Sequence, residues 1–230
     1  MTTLSDLNAA SFVYSSTRRD TYFETVLTVC VGVYREIIIS SVMLDNDENK
    51  IRDEFLKYFQ NLSFKKRHEL KNLKFDKETP ENAGRADIRI LPTKDEYIND
   101  EEYYLIECKR LDPQNLNGIS GLNAEYVKNG ICRFVSGYYS TYYGCNAMFG
   151  FVVESVNSID NDIVNNINSL LNTTMTNDHG VYVNAKAINP LQYTDFANRY
   201  PCSYMSTHTH NSGTEIVLYH LMFDFSNNIR

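Results

Sequence analysis

The stretch from residue 85 to residue 111 restricts the fold more than any other part of the chain. In RADIRILP, Arg85, Asp87 and Arg89 alternate with Ala86, Ile88 and Ile90, the period of two of a half-buried strand. YYLIECKRL, ending at Leu111, is also strand-like but too apolar for an edge with water on both faces, which places it inside a sheet. The connection TKDEYINDEE is polar and acidic and reads as an exposed loop, so the two strands are expected to pair antiparallel. Positions i and i+2 of a strand share a face. Glu107 and Lys109 therefore emerge side by side, with Cys108 directed the other way.

The flanking segments supply the remaining elements. Residues 18–40 place Tyr22, Val26, Val29 and Val33 near helical spacing with apolar residues almost all round, predicting a mostly buried helix. Asp45-Asn46-Asp47 offers capping side chains before ENKIRDEFLKYFQN, where Ile51, Phe55, Tyr58, Phe59 and Leu62 recur at three and four as in an amphipathic helix. SFKKRHELKNLKF has weak strand character, and TPENAG reads as a turn. NAEYVKNGICRFV is expected to be helical through Phe134, although Gly130 costs roughly 1 kcal/mol relative to Ala within a helix. AMFGFVVES follows as a buried strand, VNSIDNDIVNNINSLLNTT as an amphipathic helix and EIVLYHLMFDFS as a closing strand. This order implies an α/β fold with a mixed central β-sheet flanked by α-helices. One domain is expected over 1–230, with N-terminal helices in 1–62, a core at about 48–155 and a C-terminal helix and strand in 156–230.

Composition narrows the functional classes. The longest apolar run, residues 26–33, is flanked by Glu24, Arg35 and Glu36 and falls short of the ~20 residues of a bilayer span. With no basic start followed by an apolar stretch at the N-terminus, a cytoplasmic location is expected and no membrane partner. The five cysteines are scattered, without a C-x-x-C pair, which fits neither a disulfide framework nor a zinc ribbon. A net charge of −7 argues against indiscriminate coating of nucleic acid. Between Lys50 and Lys77, however, nine Lys/Arg stand against four acids (53, 54, 69 and 76). Phosphate-binding glycine loops and G-x-S-x-G are missing from the sequence, which removes the usual support for nucleotide-driven motors, dinucleotide oxidoreductases and serine hydrolases.

Glu107 and Lys109 carry the chemical signal. Holding two ions in the middle of an interior strand costs several kcal/mol each unless they are paired, hydrated or bound to metal. With Asp87 opposite Glu107 on the neighbouring strand, two carboxylates converge, the oxygen-rich arrangement a hard divalent cation prefers, and the carbonyl of Cys108 adds a further oxygen. A metal there would polarise a scissile phosphate, with Lys109 beside it to orient water or stabilise developing charge. The plain alternative for Glu107 and Lys109 is a cross-strand ion pair.

At R-A-D (85–87) and E-C-K (107–109), between a helix carrying an acid and the Y-V-K-N-G-I-C-R-F helix, the sequence resembles the PD-(D/E)xK nuclease superfamily. The likeness spans roughly residues 48 to 155, with Ala86 where the family has proline. The resemblance implies a restriction-endonuclease-like fold and a Mg²⁺-dependent nuclease, with Mn²⁺ as a substitute, acting on DNA in microbial defence or DNA processing. It implies Asp87, Glu107 and Lys109 as the catalytic trio, and Asp87, Glu107, Cys108 and Glu48 as the metal shell, with Glu54 and Glu69 as the other choices for its helix acid. By the same analogy Tyr126, Lys128 and Arg133 would meet backbone phosphates. A homodimer or a companion protein would help such an acidic chain find its target.

Several features allow two readings. Lys65, Lys66 and Arg67 either steer phosphates or form a solvated face. Tyr138, Tyr139, Tyr142 and Tyr143 either stack on bases or pack half-buried. His208 and His210 alternate on one strand face and either bind a transition metal or take hydrogen-bonded roles. Two rival functions stay open: a non-catalytic nuclease-fold module that binds nucleic acid or a partner protein, and a scaffold that assembles through the apolar 20–40 helix.

Overall fold

The computed structural model describes residues 10–80, 84–93, 103–139 and 144–230, with backbone alone at 10–20 and 145. Its centre is a seven-stranded mixed sheet flanked by helices. The strands are β1 (Leu73–Pro80), β2 (Arg85–Pro92), β3 (Tyr104–Leu111), β4 (Cys145–Val152), β7 (Ala187–Tyr193), β8 (Ser203–Thr209) and β9 (Glu215–Asp224), in the order β1-β2-β3-β4-β9-β8-β7. β5 (Met175–Thr176) and β6 (Tyr182–Val183) form a separate small hairpin. β3, β4 and β9 are mutually parallel, β2 and β8 run antiparallel to them, and the edge strands β1 and β7 each pair antiparallel with their neighbour and so return to the central direction. β4 is central, as its unbroken apolar character requires.

One face of the sheet is covered by α1 (Ala10–Ile39) and α2 (Glu48–Gln60). Phe23, Val26, Phe55 and Phe59 pack there against Ile88, Ile90, Phe149 and Phe223. The other face carries α4 (Leu122–Tyr126) and α5 (Cys132–Val135), joined by a π-helical segment at Val127–Ile131. A second π-helical segment at Asp160–Val164 runs into α6 (Asn165–Leu170) on the same side. A Cβ at position 130 would lie 2.5 Å from Met148 Cε, so the glycine lets the π-helical segment seat closely on β4 despite its cost in helix propensity. No helix among the described residues is long and apolar enough to cross a membrane.

Two expectations change. SFKKR is helical, not strand-like: α3 spans Leu62–Arg67, and the Asn61 side chain accepts from the backbone N–H groups of Ser63 and Phe64. That is a helix N-cap, and the three cations of the last turn suit the negative end of the helix. The C-terminal part also holds more strand than expected, because β7 and β8 extend the sheet beyond β9.

A buried polar chain fixes α4 to this outer half. Tyr126 Oη lies 2.8 Å from His220 Nδ1, Ser206 Oγ lies 2.7 Å from both His220 Nε2 and His208 Nε2, and His208 Nδ1 lies 2.8 Å from the Ala185 carbonyl. The carbonyl can only accept, so His208 carries its proton on Nδ1. Ser206 then donates to His208 and accepts from His220 Nε2–H, and Tyr126 donates to His220 Nδ1. This direction satisfies every group with both rings neutral. Tyr126 is thus fully buried with its hydroxyl engaged, which corrects its assignment to backbone phosphates. Of the two readings of His208 and His210, the hydrogen-bonded one is seen: His208 sits in this chain, and His210 Nδ1 meets Ser212 Oγ at 2.6 Å.

Burial holds His208 down to about 4 and His220 well below the ordinary histidine value. Neutral rings in the folded state leave the unfolded chain as the better proton acceptor. Their contribution to stability is therefore complete above 6.5 and declines as the pH falls toward about 4. In ¹⁵N–¹H spectra, His208 should appear as the Nδ1–H tautomer and His220 as Nε2–H, both unchanged from roughly pH 7.5 to roughly pH 5. Protonation of either ring near 6.5 would contradict the proton assignment.

Candidate active site

The site lies where β2 and β3 part. Their ladder runs Ile90↔Tyr104, Arg89↔Leu105, Ile88↔Ile106 and stops; the next pair in register would be Asp87 and Glu107. There the Asp87 side chain takes over from the backbone, its Oδ2 accepting from Cys108 N–H at 2.8 Å. Its Oδ1 accepts from the buried Arg52 of α2 at 3.1 Å. Arg52 also meets Asn49 (2.9 Å), Asp53 (2.9 Å) and Glu78 (3.3 Å), so α2 anchors the first candidate acid through a guanidinium fork.

Glu107 is 1% exposed and held by three donors. Its Oε1 accepts from Lys109 Nζ (2.9 Å) and Arg133 NH1 (2.8 Å), and its Oε2 accepts from Tyr139 Oη (2.8 Å). Burial is the main reason its carboxyl is pushed up to about 7, with the Asp87 charge adding to the rise and Lys109 and Arg133 opposing it. Lys109 Nζ also donates to the Cys108 carbonyl (2.8 Å) and to Glu48 Oε1 (3.0 Å). Burial by itself would lower the lysine, but the carboxylates of Glu107, Glu48 and Asp87 outweigh it and keep the ammonium charged. Glu48 reaches the site because the Asp47 cap starts α2 beside the end of β3, and its Oε2 accepts from Arg110 N–H at 3.1 Å.

These groups open onto a cleft of about 310 Å³. Five acids line it (Glu48, Asp87, Glu107, Glu125, Asp178) against three bases (Lys109, Arg110, Arg133). Asp87, Glu107, Lys109 and Glu48 therefore come together from β2, β3 and α2. Cys108 contributes its backbone N–H and carbonyl; its thiol is buried, and burial raises it far above the reactive range.

Other expected residues lie elsewhere. Glu54 pairs with Lys57 at 2.5 Å and lines a separate cleft with Arg67, while Glu69 is exposed in the turn after α3. Neither completes the acidic group, so Glu48 alone of the three candidate acids reaches it. Lys65 donates to the Leu73 carbonyl at 2.8 Å, and neither it nor Lys66 nor Arg67 lines the Asp87–Glu107 cleft. Within 50–77, Lys50 pairs with Asp45, Lys74 with Asp76 and Lys77 with Asp53. Lys128 pairs with Glu125 at 2.7 Å, and Arg133 turns inward to Glu107. Tyr139 is a hydrogen-bond donor to Glu107 and not a base platform, while Tyr142 and Tyr143 lie outside the described residues.

Arg52 and Asp178 adjoin this group without being singled out in the sequence, and Tyr139 adjoins it in a role that reading the sequence does not give. A charged residue on the apolar side of α2 is a signal for Arg52. Asp178 comes from the turn between β5 and β6 and has no local signature.

The donors present suit a hard cation: two carboxylates at the parted strands, a third from α2 and a backbone carbonyl are all oxygen. Their spacing, at 2.8–3.0 Å around Lys109 Nζ, is that of an ammonium hydrogen-bond shell. No group of three or more His, Cys, Asp or Glu among the described residues is set to hold a metal ion as it stands. Comparison with family models, with curated proteins and with solved structures finds no match to this chain.

The buried Arg52 network should dominate local stability. Arg52→Ala leaves Asp87 without its cationic partner and is expected to cost about 3–5 kcal/mol in urea unfolding at neutral pH. Lys57→Ala, at an exposed pair, is expected to change stability by less than about 1 kcal/mol. Equal and small effects would contradict the anchoring role.

Proposed function

We propose that the chain is a Mg²⁺-dependent nuclease of the PD-(D/E)xK type, with a restriction-endonuclease-like fold, hydrolysing phosphodiester bonds of DNA. The observation that carries this reading is the meeting of Asp87, Glu107, Lys109 and Glu48, from three separate elements, in one cleft.

Asp87, Glu107, Glu48 and the Cys108 carbonyl would hold the ion, which when bound polarises the scissile phosphate and acidifies a water. The chain supplies the rest. Tyr139 and Arg133 fix the Glu107 carboxylate, Arg52 and the Cys108 N–H fix Asp87, and Lys109 contributes a charged ammonium to orient water or stabilise negative charge on the phosphoryl oxygens. Mn²⁺ would replace Mg²⁺. A cytoplasmic setting goes with this reading, as does a role in microbial defence or DNA processing, with a second copy or a companion protein for targeting. Buried unpaired thiols at Cys30, Cys108 and Cys132 suit a reducing compartment.

One observation favours the non-catalytic module: every carboxylate at the strand junction already has a protein partner, so the network is satisfied without an ion. Purified protein offered supercoiled plasmid, linear duplex, single strands and RNA, with Mg²⁺, Mn²⁺ or chelator, separates the two. Cleavage is expected with either metal and none in chelator, and Asp87→Ala and Lys109→Ala should each lower the rate by roughly 100-fold or more. Undiminished cutting by both variants would refute the assignment. Binding that is equal in chelator, with no cutting of any substrate, would establish the module instead.

A further inference from the structure

We infer that the Lys109 ammonium is a built-in counter-ion that occupies the cation position of this site, and that a divalent ion enters only by displacing it. The inference rests on the metal-site reading above and adds how the site is kept closed.

Three oxygens from two elements surround Lys109 Nζ: Cys108 O at 2.8 Å, Glu107 Oε1 at 2.9 Å and Glu48 Oε1 at 3.0 Å. These are the same atoms that the donor chemistry offers to a metal. The ammonium has three protons, and each has one of these acceptors. The lysine side chain is 11% exposed, Glu107 1% and Glu48 28%, so the shell is buried on its β3 side and open toward Glu48, and an uncompensated charge at Glu107 is costly.

The carboxylates do not depend on the lysine for their positions. Glu107 keeps Arg133 and Tyr139, Asp87 keeps Arg52 and the Cys108 N–H, and Glu48 keeps the Arg110 N–H. When Lys109 swings out, the oxygen shell stays assembled and acquires an unbalanced negative charge. An ordinary structural ion pair lacks this property, since removing its lysine leaves nothing to hold the acids together. The ammonium thus stabilises the metal-free protein and competes with the divalent ion for one position. Released from the shell, it lies beside the ion, where a charged donor to the phosphoryl oxygens is needed.

Competition reverses the usual expectation for a residue at a metal site: deleting it should tighten binding. Mn²⁺ affinity, measured by electron paramagnetic resonance of the free ion, should increase roughly tenfold or more in Lys109→Met, the order expected on removing a like charge at close range. The same variant should melt lower than wild type without metal and gain more from saturating Mn²⁺. Lys109→Gln, which keeps length and polarity without the charge, provides the second variant should the methionine form fail to fold. Glu107→Gln should weaken Mn²⁺ binding in either background. Wild-type binding with no tightening in Lys109→Met or Lys109→Gln would overturn the counter-ion while leaving the metal site intact. No Mn²⁺ binding by wild type or by either lysine variant would remove the metal site and the counter-ion together.

Discussion

The buried carboxylate of Glu107 is the constraint around which the rest is arranged. An ion inside a sheet must be compensated from every side, and here the compensation comes from distant parts of the chain. Lys109 is two residues along the same strand, Arg133 and Tyr139 lie in and just after α5, and Asp87 raises the local negative charge from β2. Each partner has its own anchor. Arg52 of α2 holds Asp87, and the Asp47 cap sets the start of α2 so that Glu48 reaches Lys109. The helices on both faces of the sheet are thus tied to one carboxylate.

The parting of β2 and β3 makes room for this. A continued ladder would place Asp87 and Glu107 as backbone partners. Instead the Asp87 carboxylate accepts from the Cys108 N–H, which satisfies a buried donor that the ladder no longer serves and leaves space for a cleft. On the outer half, the Tyr126–His220–Ser206–His208 chain does a related task with neutral groups, locking the helix that delivers Arg133 to strands β8 and β9. The molecule uses charged compensation at the cleft and uncharged, fully satisfied hydrogen bonding behind it.

Much of this was legible in the sequence because it is local. The period-two pattern of RADIRILP, the unbroken apolar run around Phe149 and the Asp47 cap each follow from a few adjacent residues, and the structure places β2, β4 and α2 there. Glu107 and Lys109 were legible because ions inside an apolar strand are costly, Asp87 because the two strands were expected to pair, and Glu48 through the resemblance alone. The helix at α3 was hidden by its brevity: Asn61 closes α2 and opens α3, and the six residues that follow are too few to show a helical period, although their lysines and arginine favour a helix. Tyr126 was misread, and the partner of Tyr139 left open, for a different reason. Whether a tyrosine hydroxyl faces a phosphate, a histidine or a carboxylate depends on packing between elements far apart in the chain, and helical spacing carries no record of it. Asp178 enters the cleft on a short hairpin whose position is set by the whole C-terminal half.

An anomalous difference map from crystals soaked in Mn²⁺ tests the central claim most directly. The account predicts a peak in direct coordination, at roughly 2.1–2.3 Å from oxygens of Glu107 and Glu48, with the Lys109 side chain turned out of its present shell. A saturating soak that leaves no peak, with Lys109 Nζ still seated among Glu48, Glu107 and the Cys108 carbonyl, would contradict it.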